Sequence, residues 1–259
     1  MDKIERIATG IEGLDPLIGG GFLSGKLYLV LGGAGTGKTV FGLQYLNEGL
    51  KQGEGGIYIT TMIKPDDLIA YGDSFGWDFT RHVQEKRLSV LELPAQLTHE
   101  DTDPRKRIDV RTIMTDLVRH IKRANARRVV IDPLAPIVFG EEFLTSSQRY
   151  VRNLIFGAQG NLKCTFLVLA LKSECSQNSS RLEIAEYVAD GVIELNLTKL
   201  NSHYVRTLFI RKMRHSVTDL AEHVFDILPE MGIVIKEREL FEKVGISGRR
   251  QTTGIGSRN

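Results

Sequence analysis

Cysteine is scarce: Cys164 and Cys175 are the only two in 259 residues. Two thiols cannot build a disulfide framework or, by themselves, a metal site, and they fit a reducing cytoplasm. The six histidines lie far apart, with no metal-ligand spacing among them. No apolar run approaches the roughly 20 residues of a membrane-spanning helix. The charged stretch from Met1 to Thr9 excludes a signal peptide, so a cytoplasmic location is expected. A strong charge of one sign is missing too. The formal net charge of +2 gives no global field for nucleic acid or an anionic membrane. Three of the cations, Arg249, Arg250 and Arg258, fall in an acid-free tail from Gly245 to Asn259. No internal repeat is present, so a single unit is expected: one domain over residues 1–244, followed by a flexible basic tail, 245–259.

What remains is an ordinary globular composition, 42% hydrophobic and 25% charged, in a chain long enough to bury a sizeable core. Its most informative stretch is Gly32 to Thr39, G-x-x-x-x-G-K-T. Before it, Lys26–Leu31 (KLYLVL) reads as a buried strand; after it, Val40, Leu43, Leu46, Asn47 and Leu50 fall at helical spacing. Strand, glycine loop and helix are the context a phosphate-binding loop requires. Its backbone N–H groups curl toward an anion, and the helix start adds the positive end of its dipole. The expected nucleotide contacts are Gly33, Ala34, Gly35, Thr36, Gly37, Lys38, Thr39 and Val40. Lys38 is suited to the β- and γ-phosphates, and the Thr39 hydroxyl to Mg²⁺. ATP and Mg²⁺ are therefore the expected cofactors.

Further along, strands are expected at Ile57–Thr61 and Leu88–Leu93, with a helix from Asp66 to Phe75 between them, opened by Pro65 and two acids. Pro94–Arg107, long and charged, reads as a surface loop. Val110, Ile113, Leu117, Val118 and Ile121 form one face of an amphipathic helix. Arg127–Asp132 (RRVVID) reads as a basic turn running into a buried strand that ends on a carboxylate. Asp132 is placed to hold Mg²⁺ through water beside the phosphate loop. Glu141–Phe156 is expected as helix, Cys164–Leu171 as strand and Lys172–Glu183 as loop. Ala189–Leu197, Tyr204–Met213, Glu222–Leu228 and Ile233–Lys236 then read as an antiparallel meander. The class is α/β with a C-terminal antiparallel β extension. Trp77 reads as a packing residue at a helix end rather than a base-stacking platform.

TGIEGLD at Thr9–Asp15 with Gly19–Gly21, GGAGTGKT, RVVID, VADGVIEL at Val188–Leu195 and Arg211–Arg214 (RKMR) together resemble a single KaiC domain of the RecA superfamily, from Thr9 to about Val234. The resemblance implies a RecA-like core, a mostly parallel sheet flanked by helices. It also implies a homo-oligomer, expected as a hexameric ring, with ATP at subunit interfaces. In relatives the basic pair of K-M-R reaches the neighbour's γ-phosphate; here that pair is Lys212 and Arg214, which strand alternation directs to one side. His215 stands where many relatives carry glycine.

Two departures from the family matter. Relatives carry adjacent glutamates after the second strand, one of which acts on the attacking water. Met62 and Ile63 occupy those positions here and neither can accept a proton. Lost general-base help is worth about 10²–10⁴ in rate, so slow hydrolysis is expected unless another carboxylate substitutes. Asp66, Asp67, Glu141, Glu142 and Glu174 are the available acids, with Glu174, at the end of the LVLALKSE segment, the first choice and Glu142 next. The Ser-Thr pair phosphorylated in the clock protein is replaced by Glu186 and Tyr187, so autokinase activity is not carried over; Ser179 and Ser180 lie nearby in a polar loop. Three functions follow: a nucleotide-occupancy switch for assembly or for protein signalling partners, an active ATPase with a displaced carboxylate, and a RadA-like DNA-binding recombination protein. The last has only the tail and the Lys122, Arg123, Arg127, Arg128 cluster for phosphate contacts, so nucleic acid is not the expected partner.

Overall fold

The computed structural model describes residues 5–92, 110–133, 164–172, 185–200 and 202–236. Along the chain these residues form β1 (Arg6–Ile7), α1 (Leu14–Leu17), β2 (Phe22–Leu23), β3 (Leu27–Gly32), α2 (Lys38–Lys51), β4 (Gly55–Thr60), α3 (Pro65–Ser74), α4 (Phe79–Gln84) and β5 (Leu88–Glu92). They continue through α5 (Val110–Arg123), β6 (Ala126–Asp132), β7 (Thr165–Leu171), β8 (Gly191–Leu200), β9 (His203–Met213), β10 (Glu222–Leu228) and β11 (Gly232–Ile235). The Pro94–Arg107 loop, the Glu141–Phe156 helix, most of the Lys172–Glu183 loop and the tail 245–259 lie outside the described residues, as do Glu141, Glu142, Glu174, Cys175, Ser179 and Ser180.

Nine strands form one sheet in the order β5-β4-β6-β7-β3-β8-β9-β10-β11. From β5 to β8 every pairing is parallel; from β8 to β11 every pairing is antiparallel. This is the expected mostly parallel core with its antiparallel extension. The parallel strands are apolar on both faces because both are covered. Tyr28 and Val30 pack with Phe41, Tyr45 and Leu46 of α2 on one face, whereas Leu27, Leu29 and Leu31 pack with Ile121 of α5 on the other. In α3, Leu68 is fully buried, Phe75 nearly so and Ile69 partly, as its helical spacing requires. No helix among the described residues is long and apolar enough to cross a membrane.

The TGIEGLD stretch is held by its own side chains. Thr9 N–H and Oγ1 both donate to the Asp15 carboxylate, the hydroxyl at 2.6 Å, and Ile11 N–H donates to Thr9 Oγ1. The folded stretch carries α1 and the two-residue pairing of β1 with β2. Gln44, buried in α2, ties it to the other end of the chain: its amide donates to the carbonyls of Gly10, Met231 and Ile233 and accepts from Ile233 N–H. The phosphate-loop helix is thereby fastened to both terminal segments.

One reading is corrected. Arg127 and Arg128 are not a basic turn but part of β6. Arg128 is 1% exposed, paired with Glu54 at 2.6 Å, donating to the Ala8 and Tyr45 carbonyls and lying over the Tyr45 ring. Arg127 pairs with Glu5 and lies near Glu54. Strand alternation puts Arg128, Val130 and Asp132 on the face that α2 covers, which brings Arg128 against Tyr45. Of the supposed phosphate-binding cluster only Lys122 and Arg123 remain exposed. Trp77 is a packing residue: it is buried, stacked on Phe75 and donates from Nε1 to the Glu230 carbonyl.

Candidate functional site

β3 ends at Gly32, where the chain must turn sharply beneath β8. A Cβ on Gly32 would come within 2.5 Å of Thr36 Oγ1 and 2.6 Å of the Leu195 carbonyl oxygen, so only glycine fits. Gly37, at φ 104°, sits in the left-handed region as the residue preceding α2. Thr36 Oγ1 donates back to the Gly33 carbonyl and closes the loop between them. The first backbone bond of α2 runs from Phe41 N–H to the Gly37 carbonyl at 2.9 Å. The amides ahead of it are the donors that a helix start leaves without intrahelical partners. They sit at the carboxyl edge of parallel strands, where open α/β sheets bind ligands.

Lys38 folds back over this loop, its ammonium donating to the carbonyls of Gly32 at 2.9 Å and Gly33 at 2.6 Å. Burial lowers its pKa, and the charge of Asp132 opposes that shift. Two carbonyl partners are a modest reward for a half-desolvated cation, and a phosphate oxygen would be a better one. Thr39 Oγ1 donates to Asp132 Oδ2 at 3.0 Å, joining the loop to the end of β6. Burial raises the pKa of Asp132, while hydrogen bonds from Tyr58 and Thr39 and the Lys38 charge work to keep it ionised. A hydroxyl and a carboxylate in contact at the end of a phosphate loop form a hard oxygen donor set that suits Mg²⁺. Val40 is buried in the core.

Met62 and Ile63 follow β4 at the same edge, since Thr60 pairs with Asp132. Thr60 Oγ1 accepts from Ile63 N–H and donates to the Ile63 carbonyl, tying the turn closed. Met62 is 78% exposed, whereas Ile63 packs partly on the core. The turn itself offers no carboxylate. Glu174 and Glu142, the substitute acids named from the sequence, lie outside the described residues.

Lys212 and Arg214 lie at the other edge. Met213 pairs with Gly191, which pairs with Tyr28, whereas Gly32 pairs with Leu195. Four strand residues therefore separate the basic pair from its own phosphate loop, about 13 Å along the sheet. Lys212 donates to the carbonyls of Glu186 and Tyr187, and Arg214 to that of Tyr187, so both lean to one side as strand alternation predicts. Burial and the neighbouring Arg214 lower the Lys212 pKa. Asp190, of the VADGVIEL stretch, fixes this corner: its carboxylate accepts from Leu27 N–H and its carbonyl from Arg214 N–H. His215, at φ 60°, adopts the left-handed geometry that glycine takes most easily.

Three residues in or near the site were not anticipated. Tyr58 donates to Asp132 Oδ2 at 2.6 Å. Glu194, buried on β8, pairs with Lys172 and with Arg211, each at 2.9 Å. Gln44 anchors α2. The parity of Tyr58 with Thr60 in a strand paired to β6 was the one signal that could have found the first; a lone acid in VIEL marked the second.

The comparisons agree with this geometry. The KaiC-like protein PH0186 of Pyrococcus horikoshii superposes with a TM-score of 0.76 at 29% identity, over 91% of this chain and 100% of that one. A UPF0273 protein of Thermotoga maritima is 29% identical over 91% of this chain and 98% of its own length. The circadian clock oscillator protein KaiC of Prochlorococcus marinus is also 29% identical, but this chain spans only 45% of it. The family described as "ATPase: KaiC" matches residues 7–240, from β1 past β11, taking in the phosphate loop, Asp132 and the basic pair. With fold, loop and family match covering the same residues, this chain belongs to the KaiC ATPase family.

Proposed function

We propose that this protein binds Mg·ATP at the Gly33–Val40 loop and uses nucleotide occupancy at subunit interfaces as an assembly or signalling switch, with slow hydrolysis. The observation that carries the reading is the 3.0 Å contact between Thr39 and Asp132, which joins loop and strand carboxylate into one site. A divalent cation held there would supply charge neutralisation for the phosphates. Lys38 leaves the Gly32 and Gly33 carbonyls for the β- and γ-phosphates, and the loop amides hold the anion. Asp132 and Thr39 hold Mg²⁺ at the carboxyl edge. Lys212 and Arg214, too far from their own loop, serve a neighbouring subunit's γ-phosphate in a homo-oligomeric ring, expected to be hexameric. Met62 and Ile63 supply no base, so a bound triphosphate outlives the assembly step.

Two measurements on the purified protein test this. Solution mass is expected to rise with Mg·ATP and fall when it is removed, and phosphate release is expected below about one turnover per second, the low end of ordinary enzymes. A mass indifferent to nucleotide overturns the switch. Fast turnover favours an active ATPase instead, and Glu174→Gln and Glu142→Gln would then identify its base. Lys38→Ala removes a charge-assisted contact and is expected to weaken ATP binding about 10- to 100-fold by calorimetry.

A further inference from the structure

Tyr58 is a buried polar group at the site whose hydroxyl the roles given to the loop leave unassigned. Its side chain is 1% exposed. The ring lies beneath α2 at Gly42, where an added Cβ would sit 2.9 Å from Val130 Cγ1 and 3.4 Å from Tyr58 Cε2. Tyr58 pairs with Val130 and Thr60 with Asp132, so Tyr58 stands two residues back from Asp132 on the adjoining strand and faces the same way. Only a long rigid side chain carrying a terminal donor spans that gap. The hydroxyl reaches Asp132 Oδ2 at 2.6 Å, closer than Thr39 at 3.0 Å.

The two donors on Oδ2 differ in kind. Thr39 belongs to the loop, and its oxygen is the one offered to the cation. Tyr58 is held by the core, its hydroxyl set between the Asp132 carboxylate and the Thr39 side chain. A carboxylate that must present its remaining lone pairs to Mg²⁺ is fixed by such an outer contact, and loss of contacts of this kind costs metal affinity about 10- to 100-fold. We propose that Tyr58 is a positioning residue that fixes Asp132 for the nucleotide-bound divalent cation. The proposal rests on the reading of Asp132 as a cation ligand.

The test is calorimetric titration of the full chain with ATP, first in EDTA and then across a series of free Mg²⁺ concentrations. Tyr58→Phe is expected to raise the Mg²⁺ needed for half of the metal-dependent gain in affinity by about 10- to 100-fold. Its thermal midpoint falls with the lost buried hydrogen bond, but its affinity in EDTA should stay at the parent's value, a split between metal-free and metal-dependent binding that a merely structural role would not produce. Asp132→Asn should raise the Mg²⁺ requirement on its own, and adding Tyr58→Phe to it should raise it no further. An unchanged Mg²⁺ requirement in Tyr58→Phe, or full additivity in the double variant, overturns the proposal. If Asp132→Asn leaves the requirement unchanged, the cation role of Asp132 falls as well, and the two failures are told apart. Should Tyr58→Phe not fold, site-specific 3,5-difluorotyrosine at position 58 keeps the ring's packing while changing the acidity of the hydroxyl on Asp132; a Mg²⁺ requirement equal to the parent's there also overturns it.

Discussion

Glu194 stands on β8 where Val192 is wholly apolar and buried, and it is itself only 7% exposed. Burial raises its pKa, but the Lys172 ammonium and the Arg211 guanidinium outweigh burial and leave it below the usual 4.5. Folding therefore favours the carboxylate. Its contribution is fully present above about pH 4.5 and drains away as pH falls through the lowered folded value. Lys172 and Arg211 are each nearly half exposed, so solvent weakens the pairs. Glu194→Gln is expected to cost about 1 kcal/mol at neutral pH. It should also flatten the loss of thermal midpoint between about pH 5 and pH 3 relative to the parent. Equal slopes in the two proteins would assign the acid limb to other groups. Asp15 and Asp132 work with the opposite sign, since burial raises both and acidification relieves them.

Among the elements, α2 carries the most. It begins at the phosphate loop, lies across the parallel strands and, through Gln44, holds the TGIEGLD segment and the β10–β11 hairpin. Gln44→Ala leaves three carbonyls and one N–H without their buried partner and is expected to cost about 2–4 kcal/mol in denaturant unfolding. ATP affinity should fall little, because none of the four bonds touches the loop. The helix itself was plain in the sequence from its apolar spacing, as were β3 to β7 from their short apolar runs. The strands β1 and β2 were not, because two residues each leave no period to read, and α4, six residues long, is similarly brief. Arg128 was misplaced because its charge was weighed above its position, when the Glu54 carboxylate and the Tyr45 ring receive it inside.

At the scale of the molecule, the phosphate loop and the Lys212–Arg214 pair stand at opposite edges of one sheet. Neither can complete the other within a subunit. A Lys212→Ala, Arg214→Ala double variant is expected to bind ATP as the parent does yet to lose any gain of mass with Mg·ATP. Lys38→Ala should bind ATP more weakly and lose the gain of mass as well. Mixing the two variants should give species of intermediate mass, since each supplies the half that the other lacks. Light scattering of the mixture checks this, and a mixture that stays at the mass of its parts would show that the pair does not act across an interface.

The sequence by itself determined the nucleotide site's chemistry, the α/β order and the family. Glycines, a lysine, a threonine and a strand-ending acid carry their meaning in local spacing. It also showed that Met62 and Ile63, neither able to accept a proton, follow β4. Only the tertiary structure decided that Tyr58 contacts Asp132, that Gln44 joins the Gly10 segment to the β10–β11 hairpin, that Arg128 is buried against Glu54, and that the basic pair lies at the other edge of the sheet from its own loop. Those facts depend on contacts between segments far apart in sequence, where side-chain reach and strand register choose the partner and no local pattern records it.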